Sequence, residues 1–149
     1  MEQVWFVTGS SRGFGRALVG TALDAGDRVV ATARQPAQLA EIAERYGDLV
    51  LPLALDVTDS AGVHAAVATG TAHFGRLDVV VNNAGYANVA PIETGDGADF
   101  RTQFETNFWG VYNVSKAVIA PLRAQENVSR SADYAEPYPA QYPADTSER

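Results

Sequence analysis

An apolar run, Val4-Trp5-Phe6-Val7, breaks at Thr8 into Gly9-Ser10-Ser11-Arg12-Gly13-Phe14-Gly15, and a helix-like pattern begins at once. A buried strand that ends in glycine and reopens as a helix start is built to hold an anion. The loop N–H groups and the positive end of the helix dipole both point at whatever sits there. Gly9 permits a tight turn, while Gly13 and Gly15 let a pyrophosphate and the neighbouring strand come close. An ordinary strand-to-helix turn is the competing reading, because spaced glycines alone are a weak signal.

The rest of the chain repeats that alternation. Phe14 to Ala25 reads as a helix, with Leu18, Ala22 and Ala25 on one stripe and Gly26 as its stop. Arg28 to Arg34 reads as a second strand. Pro36 opens a helix carrying Leu39, Ile42 and Ala43, closed by Gly47. Leu49 to Leu55 is a third strand, and its Pro52 fits an edge or a strand start. Asp59 or Ser60 caps a helix that runs to about Phe74. Leu77 to Val81 is a fourth strand, almost continuously apolar, as expected when helices cover both sheet faces. Such alternation predicts right-handed crossovers and an α/β, doubly wound parallel sheet. From Asp99 a helix pattern resumes through Leu122, with Phe100, Phe104, Phe108, Val111, Ser115 and Val118 at helical spacing, as core or interface.

The composition changes near Gln125. Residues 126–149 hold Pro137, Pro139 and Pro143 among Ser, Ala and charged residues, and no strand-like run. Tyr134, Tyr138 and Tyr142 recur every fourth residue, but the prolines defeat a helix. The expectation is a folded domain over 1–125 and a disordered tail over 126–149. A formal net charge of −7 leaves no basic face for nucleic acid. With no cysteine, disulfides and thiolate metal sites are excluded, and the two histidines, His64 and His73, have no metal-ligand pattern. Neither a leader with a basic start nor a membrane-length apolar run is present, so a cytoplasmic location is expected.

Four ordered motifs give a resemblance. Thr8-Gly9-x-x-x-Gly13-x-Gly15, Asp56-Val57 after the third strand, Asn82-Asn83-Ala84-Gly85 after the fourth, and Asn107 within Glu105-Thr106-Asn107-Phe108-Trp109-Gly110 all match the short-chain dehydrogenase/reductase family. The chain resembles that family over residues 1 to about 125. The resemblance implies a Rossmann-like fold and an oxidoreductase moving hydride between a nicotinamide cofactor and a small-molecule carbonyl or secondary alcohol. It implies cofactor contacts at Thr8, Gly9, Ser10, Ser11, Arg12, Gly13, Phe14, Gly15, Arg34, Asp56, Val57, Asn83, Ala84 and Gly85. Asn107 takes the place of the catalytic-tetrad Asn. Asp56 can accept from an exocyclic amine and Val57 can wall the adenine ring, although Asp56 as a turn cap and Asn82 as a strand tie stay open. An acidic residue at the end of the second strand would favour NAD(H). Here that position reads Ala33-Arg34, and with Arg12 it predicts NADP(H) over NAD(H).

The family's Ser and Tyr-x-x-x-Lys pair are not found where expected. The only lysine, Lys116, completes Tyr112-Asn113-Val114-Ser115-Lys116, but five residues after Asn107. On a regular helix Tyr112 and Lys116 lie about 140° and 180° around from Asn107, so the match reads as a decoy. The expectation is a chain truncated after about four strands and the following long helix, weak or inactive in catalysis. A non-catalytic dinucleotide-binding module and a non-functional fragment are the alternatives. Such a chain would leave the fourth strand as a bare edge and the 104–122 helix exposed, predicting self-association.

Overall fold

The structure, a computed structural model, describes residues 2–129. The tail tyrosines Tyr134, Tyr138 and Tyr142 lie outside the described residues. Four strands alternate with helices: β1 Val4–Val7, α1 Gly13–Asp24, β2 Arg28–Ala33, α2 Ala40–Tyr46, β3 Val50–Ala54, α3 Ser60–Phe74, β4 Val79–Val81, α4 Gly97–Phe104 and α5 Gly110–Ser129. The strands pair in the order β3-β2-β1-β4, and all three pairings are parallel. Because β1 is flanked by β2 and β4, the connections wind to opposite sides of it. A crevice opens where the C-terminal ends of β1 and β4 part.

Side-chain alternation along the strands builds two cores. Val4, Phe6 and Val30 face α3 and α5, meeting Val63, Ala66, Val67, Val114, Ala117 and Val118. Val7, Val29, Ala31 and Ala33 face α1 and α2, meeting Val19, Leu23, Leu39 and Ile42. Both faces of the central strands are therefore covered, which is why β1 and β2 carry unbroken apolar runs. Pro52 is accommodated because β3 lies at the sheet edge.

Three elements differ from their predicted form. Pro36 opens a short 3₁₀ turn, Pro36–Leu39, that precedes α2 instead of one helix. The fourth strand is shorter than Leu77–Val81, because the Leu77 peptide is captured by a side chain. Gln125 Oε1 accepts from the Leu77 N–H at 2.6 Å, and Gln125 Nε2 donates to the Leu77 carbonyl at 2.9 Å. Gln125 thus acts as a one-residue stand-in for a strand, and the domain boundary expected after it falls inside α5. The long helix is also interrupted: Glu105–Trp109 forms a wide π turn between α4 and α5. That turn resets the helical phase, so the regular 100° spacing used to separate Asn107 from Tyr112 and Lys116 does not apply across it.

The face that α5 turns inward is Val114, Ala117 and Val118, all buried. Phe100, Phe104, Phe108 and Val111 lie outside the core and are exposed, together with Trp109, Tyr112 and Ile119. These rings satisfy one another. Phe104 stacks on Phe108 at 5.0 Å, Phe108 meets Trp109 edge-on at 5.3 Å, and Trp109 meets Tyr112 edge-on at 5.5 Å. β4 is the sheet's second edge strand.

Removing the Gln125 clamp leaves a part-buried N–H and C=O without their partners. Gln125→Ala is expected to lower stability by about 2 kcal/mol in a denaturant titration, with the slope unchanged. A loss within experimental error would mean that water replaces the amide freely.

Candidate functional site

The crevice floor is fixed by one hydroxyl and one amide. Thr8, buried at the end of β1, accepts at Oγ1 from the N–H groups of Asn83 and Ala84, each at 3.0 Å. Its hydroxyl lies 3.3 Å from the Val81 carbonyl, to which it donates. In return, Asn83 Nδ2 donates to the carbonyls of Thr8 and Gly9, both at 3.0 Å. Ser10 ties the same loop to its base: its hydroxyl donates to Val7 O and its N–H to Thr32 O. The segment after β4 and the loop after β1 thereby become one rigid unit.

This interlock explains two of the glycines. Gly9 has φ +68°, and a Cβ there would stand 2.9 Å from Ala84 Cα. A Cβ on Gly15 would overlap the Asn83 amide and the Gly9 carbonyl. Gly13 differs, with φ +58° and open space where its Cβ would be. The closed glycines serve the fold, whereas Gly13 stands open at the first residue of α1.

Helix α1 starts at that open position without a cap. Arg12, its N-cap residue, is extended and makes no side-chain capping bond. By contrast α3 is capped by Asp59, which accepts from Ala61 N–H at 3.1 Å, and α4 by Asp96, which accepts from Ala98 N–H at 2.8 Å. The first N–H groups of α1 are thus left for an acceptor from outside, at the positive end of the helix dipole. Phe14 follows with its ring exposed, and Ser11 is half-buried.

The far end of the crevice holds Arg34 and Asp56. With Ala54, Leu55, Asp59 and Gly62 they line a depression of about 360 Å³. Asp56 Oδ1 accepts from Thr58 N–H at 3.0 Å and from its hydroxyl at 2.7 Å. These bonds, aided by the Arg34 charge, hold the Asp56 carboxyl below its ordinary value, so it is ionised at neutral pH. It therefore does cap a turn, and both bonds fall on one oxygen. Val57 corrects the expectation of an apolar wall. Its side chain is buried in the core, where a Cβ on Gly110 would come within 2.5 Å of it, and its carbonyl accepts from Asn113 Nδ2. A side chain following an exposed residue at the end of a strand points to the opposite face.

Asn107 lies in the π turn, beyond Gly85. Its Oδ1 accepts from Tyr86 N–H at 3.0 Å and its Nδ2 donates to Tyr86 O at 2.7 Å. The amide is thus committed to holding the segment after Gly85. Tyr112 and Lys116 lie elsewhere, with the lysine Nζ 5.5 Å from the Tyr112 ring centroid in the exposed aromatic row. Asn82 reaches Ser115 on α5 only at 3.5 Å. Sequence reasoning missed Gln125, Asn113 and the buried Ser10–Thr32 pair, because nothing in local pattern reveals which distant peptide a polar side chain will meet. Asp59 was read only as a helix cap, and the fold also brings it to the Arg34 depression. Among the described residues no three metal-ligating side chains converge, and no helix is long and apolar enough to cross a membrane.

Thr8→Val keeps the shape of the hub and removes its oxygen, leaving the N–H groups of Asn83 and Ala84 without an acceptor. A loss of about 2–4 kcal/mol is expected on denaturation, with Thr8→Ser retaining most of the stability. Equal loss in both variants would assign the effect to packing instead.

Comparison with known proteins places this geometry. The model of the short chain dehydrogenase family matches residues 3–129. An oxidoreductase of Botryotinia fuckeliana is 52% identical over 128 residues, which are 85% of this chain and 47% of that protein. A protein named as a probable NADP-dependent dehydrogenase of Haemophilus influenzae is 33% identical over 120 residues, 80% of this chain and 48% of its own length. The structure of a 3-ketoacyl-(acyl-carrier-protein) reductase from Brucella melitensis, complexed with NADH, superposes with a TM-score of 0.78 at 30% identity. That match covers 85% of this chain and 52% of the reductase. The chain spans about half the length of the relatives it matches. From the parallel sheet to the glycine loop and its Asn83 lock, the match is continuous, and the chain belongs to the short-chain dehydrogenase/reductase family of oxidoreductases.

Proposed function

We propose that the crevice binds a nicotinamide dinucleotide, NADP(H) in preference to NAD(H), and that the protein descends from enzymes acting on a small carbonyl or secondary alcohol. The observation that carries this reading is the uncapped N-terminus of α1, set at the mouth of a glycine loop that Thr8 and Asn83 hold rigid. The free N–H groups of that first turn are available to receive a pyrophosphate. Asp56 stands where it can accept from the adenine amine. When bound, the cofactor supplies or takes up hydride; the chain's own residues bind and orient it. Asn107 acts as a positioning residue, since its amide is engaged by Tyr86.

Charge supports the preference for the 2′-phosphate. Arg16, Arg28, Arg45 and Arg76 are each paired with a carboxylate. Arg12 and Arg34 form no ion pair among the described residues, nor do Arg101 and Arg123; what sets the first two apart is their place, at the start of α1 and just past the end of β2. Two uncommitted guanidiniums favour a dianion. The name of the Haemophilus relative agrees, whereas the Brucella reductase was crystallised with NADH.

In this chain the one lysine belongs to the aromatic row, so turnover is expected at background. A non-catalytic dinucleotide-binding module, working in the cytoplasm, is the second reading, favoured by a complete glycine loop in a chain whose one Tyr-x-x-x-Lys has its lysine over the Tyr112 ring in the exposed aromatic row.

NADPH is expected to raise the thermal midpoint of the protein, with Arg34→Ala weakening NADPH about tenfold or more and NADH little. NADH binding as tightly as NADPH at physiological salt would overturn the preference. No stabilisation by either dinucleotide would overturn the cleft itself. Stabilisation without oxidation of NADPH by a panel of aldehydes and ketones separates the binding module from an active reductase.

The exposed rings of the π turn and α5, and the unpaired edge of β4, further favour self-association. Sedimentation should show a species that grows with concentration, and Phe108→Ser with Trp109→Ser should shift it to monomer. A monomer at all concentrations, with no binding of a hydrophobic dye, would rule this out.

A further inference from the structure

Asp59 has a duty as the N-cap of α3, and only one of its oxygens performs it. Oδ1 accepts from the Ala61 N–H at 3.1 Å. Oδ2 lies on the other side, where a Cβ added to Gly62 would come within 2.7 Å of it. Gly62 and Asp59 both line the 360 Å³ depression that also holds Arg34 and Asp56. The formal charge of its lining is therefore −1: one guanidinium against two carboxylates. Arg34 makes no ion pair within 4.0 Å in this setting, so its charge remains available to a ligand.

Given the dinucleotide cleft proposed for this chain, we infer that Asp59 is a specificity-determining residue that opposes the 2′-phosphate Arg34 attracts. A phosphate monoester carries about −1.5 to −2 charges at neutral pH. Arg34 and Asp59 line the same depression, so a phosphate that settles on Arg34 there also meets the field of Asp59. The attraction of Arg34 and the repulsion of Asp59 then act on the same phosphate. The outcome is a muted preference for NADP(H), with NAD(H) still accepted. Asp56 adds to the negative field, but its bonds to Thr58 and the hydrogen bond proposed for it from the adenine amine make it part of the binding surface. Asp59 is the group whose charge can be removed alone, because Asn caps a helix as well as Asp does.

The experiment compares 5′-AMP with 2′,5′-ADP by titration calorimetry on the full chain, in the wild type, Asp59→Asn and Asp48→Asn. The two ligands share the adenosine 5′-phosphate and differ only in the 2′-phosphate. Asp48 lies in the turn before β3, at the other end of that strand from Asp59, and controls for net charge. Asp59→Asn is expected to tighten 2′,5′-ADP about three- to tenfold. It should leave 5′-AMP within about twofold, and the gain should shrink in high salt. The thermal midpoint of Asp59→Asn should stay near the wild-type value, since the cap is kept. No change for 2′,5′-ADP, equal tightening of both ligands, or the same gain in Asp48→Asn would each overturn the role of Asp59 while leaving the cleft standing. Failure of the folded wild type to bind either nucleotide would overturn the dinucleotide cleft and the role of Asp59 with it.

Discussion

The hydroxyl of Thr8 and the amide of Asn83 hold together the one place where a parallel sheet must come apart. At the C-terminal ends of β1 and β4 the ladder stops while two chains still lie side by side. Their peptide groups would otherwise be part-buried without partners, at a cost of about 1–3 kcal/mol each. Thr8 Oγ1 takes two N–H groups and the Asn83 amide covers two carbonyls, so the crevice has a stiff floor without a strand beneath it. The rest of the site depends on this. Gly9 and Gly15 are glycines because the interlock leaves no room for a Cβ, and the start of α1 is aimed by the loop they permit.

The same device recurs along the chain. Gln125 holds both groups of the Leu77 peptide, Asn107 both groups of Tyr86, and Asn113 the carbonyl of Val57. A carboxamide offers a donor and an acceptor with the geometry of a peptide, so it can substitute for a neighbouring strand in an irregular segment. Among the described residues no buried side-chain nitrogen or oxygen lacks a partner. Short strands, three residues in the case of β4, are enough because side-chain amides finish the pairing that the ladder begins.

The opposite condition holds on the outer side of α5 and the π turn. There Phe104, Phe108, Trp109 and Tyr112 stay exposed and cover only one another. Burying one such side chain fully is worth about 1.5–3 kcal/mol. Four of them in a row make a surface whose burial would be strongly favoured.

Much of this was legible in the sequence. Apolar runs of strand length, glycine and proline punctuation, and a 3.6-residue period depend on neighbours in the chain, so the order β-α-β-α-β-α-β-α and the parallel sheet follow from local pattern. The glycine loop was also readable, because close approach demands small residues at fixed offsets from a strand end, whereas Asp56 and Asn83-Ala84-Gly85 stood out through the family resemblance. Tertiary structure decided the rest. The π turn at Glu105–Trp109 occurs where Asn107 is bonded to a peptide 21 residues away. Val57 faces inward because α5 begins against it with a glycine, and Asp59 stands at the Arg34 depression because α3 starts beside the end of β3. Sequence periodicity sets which side of an element is apolar, but the partner of each polar group is chosen only when distant segments meet.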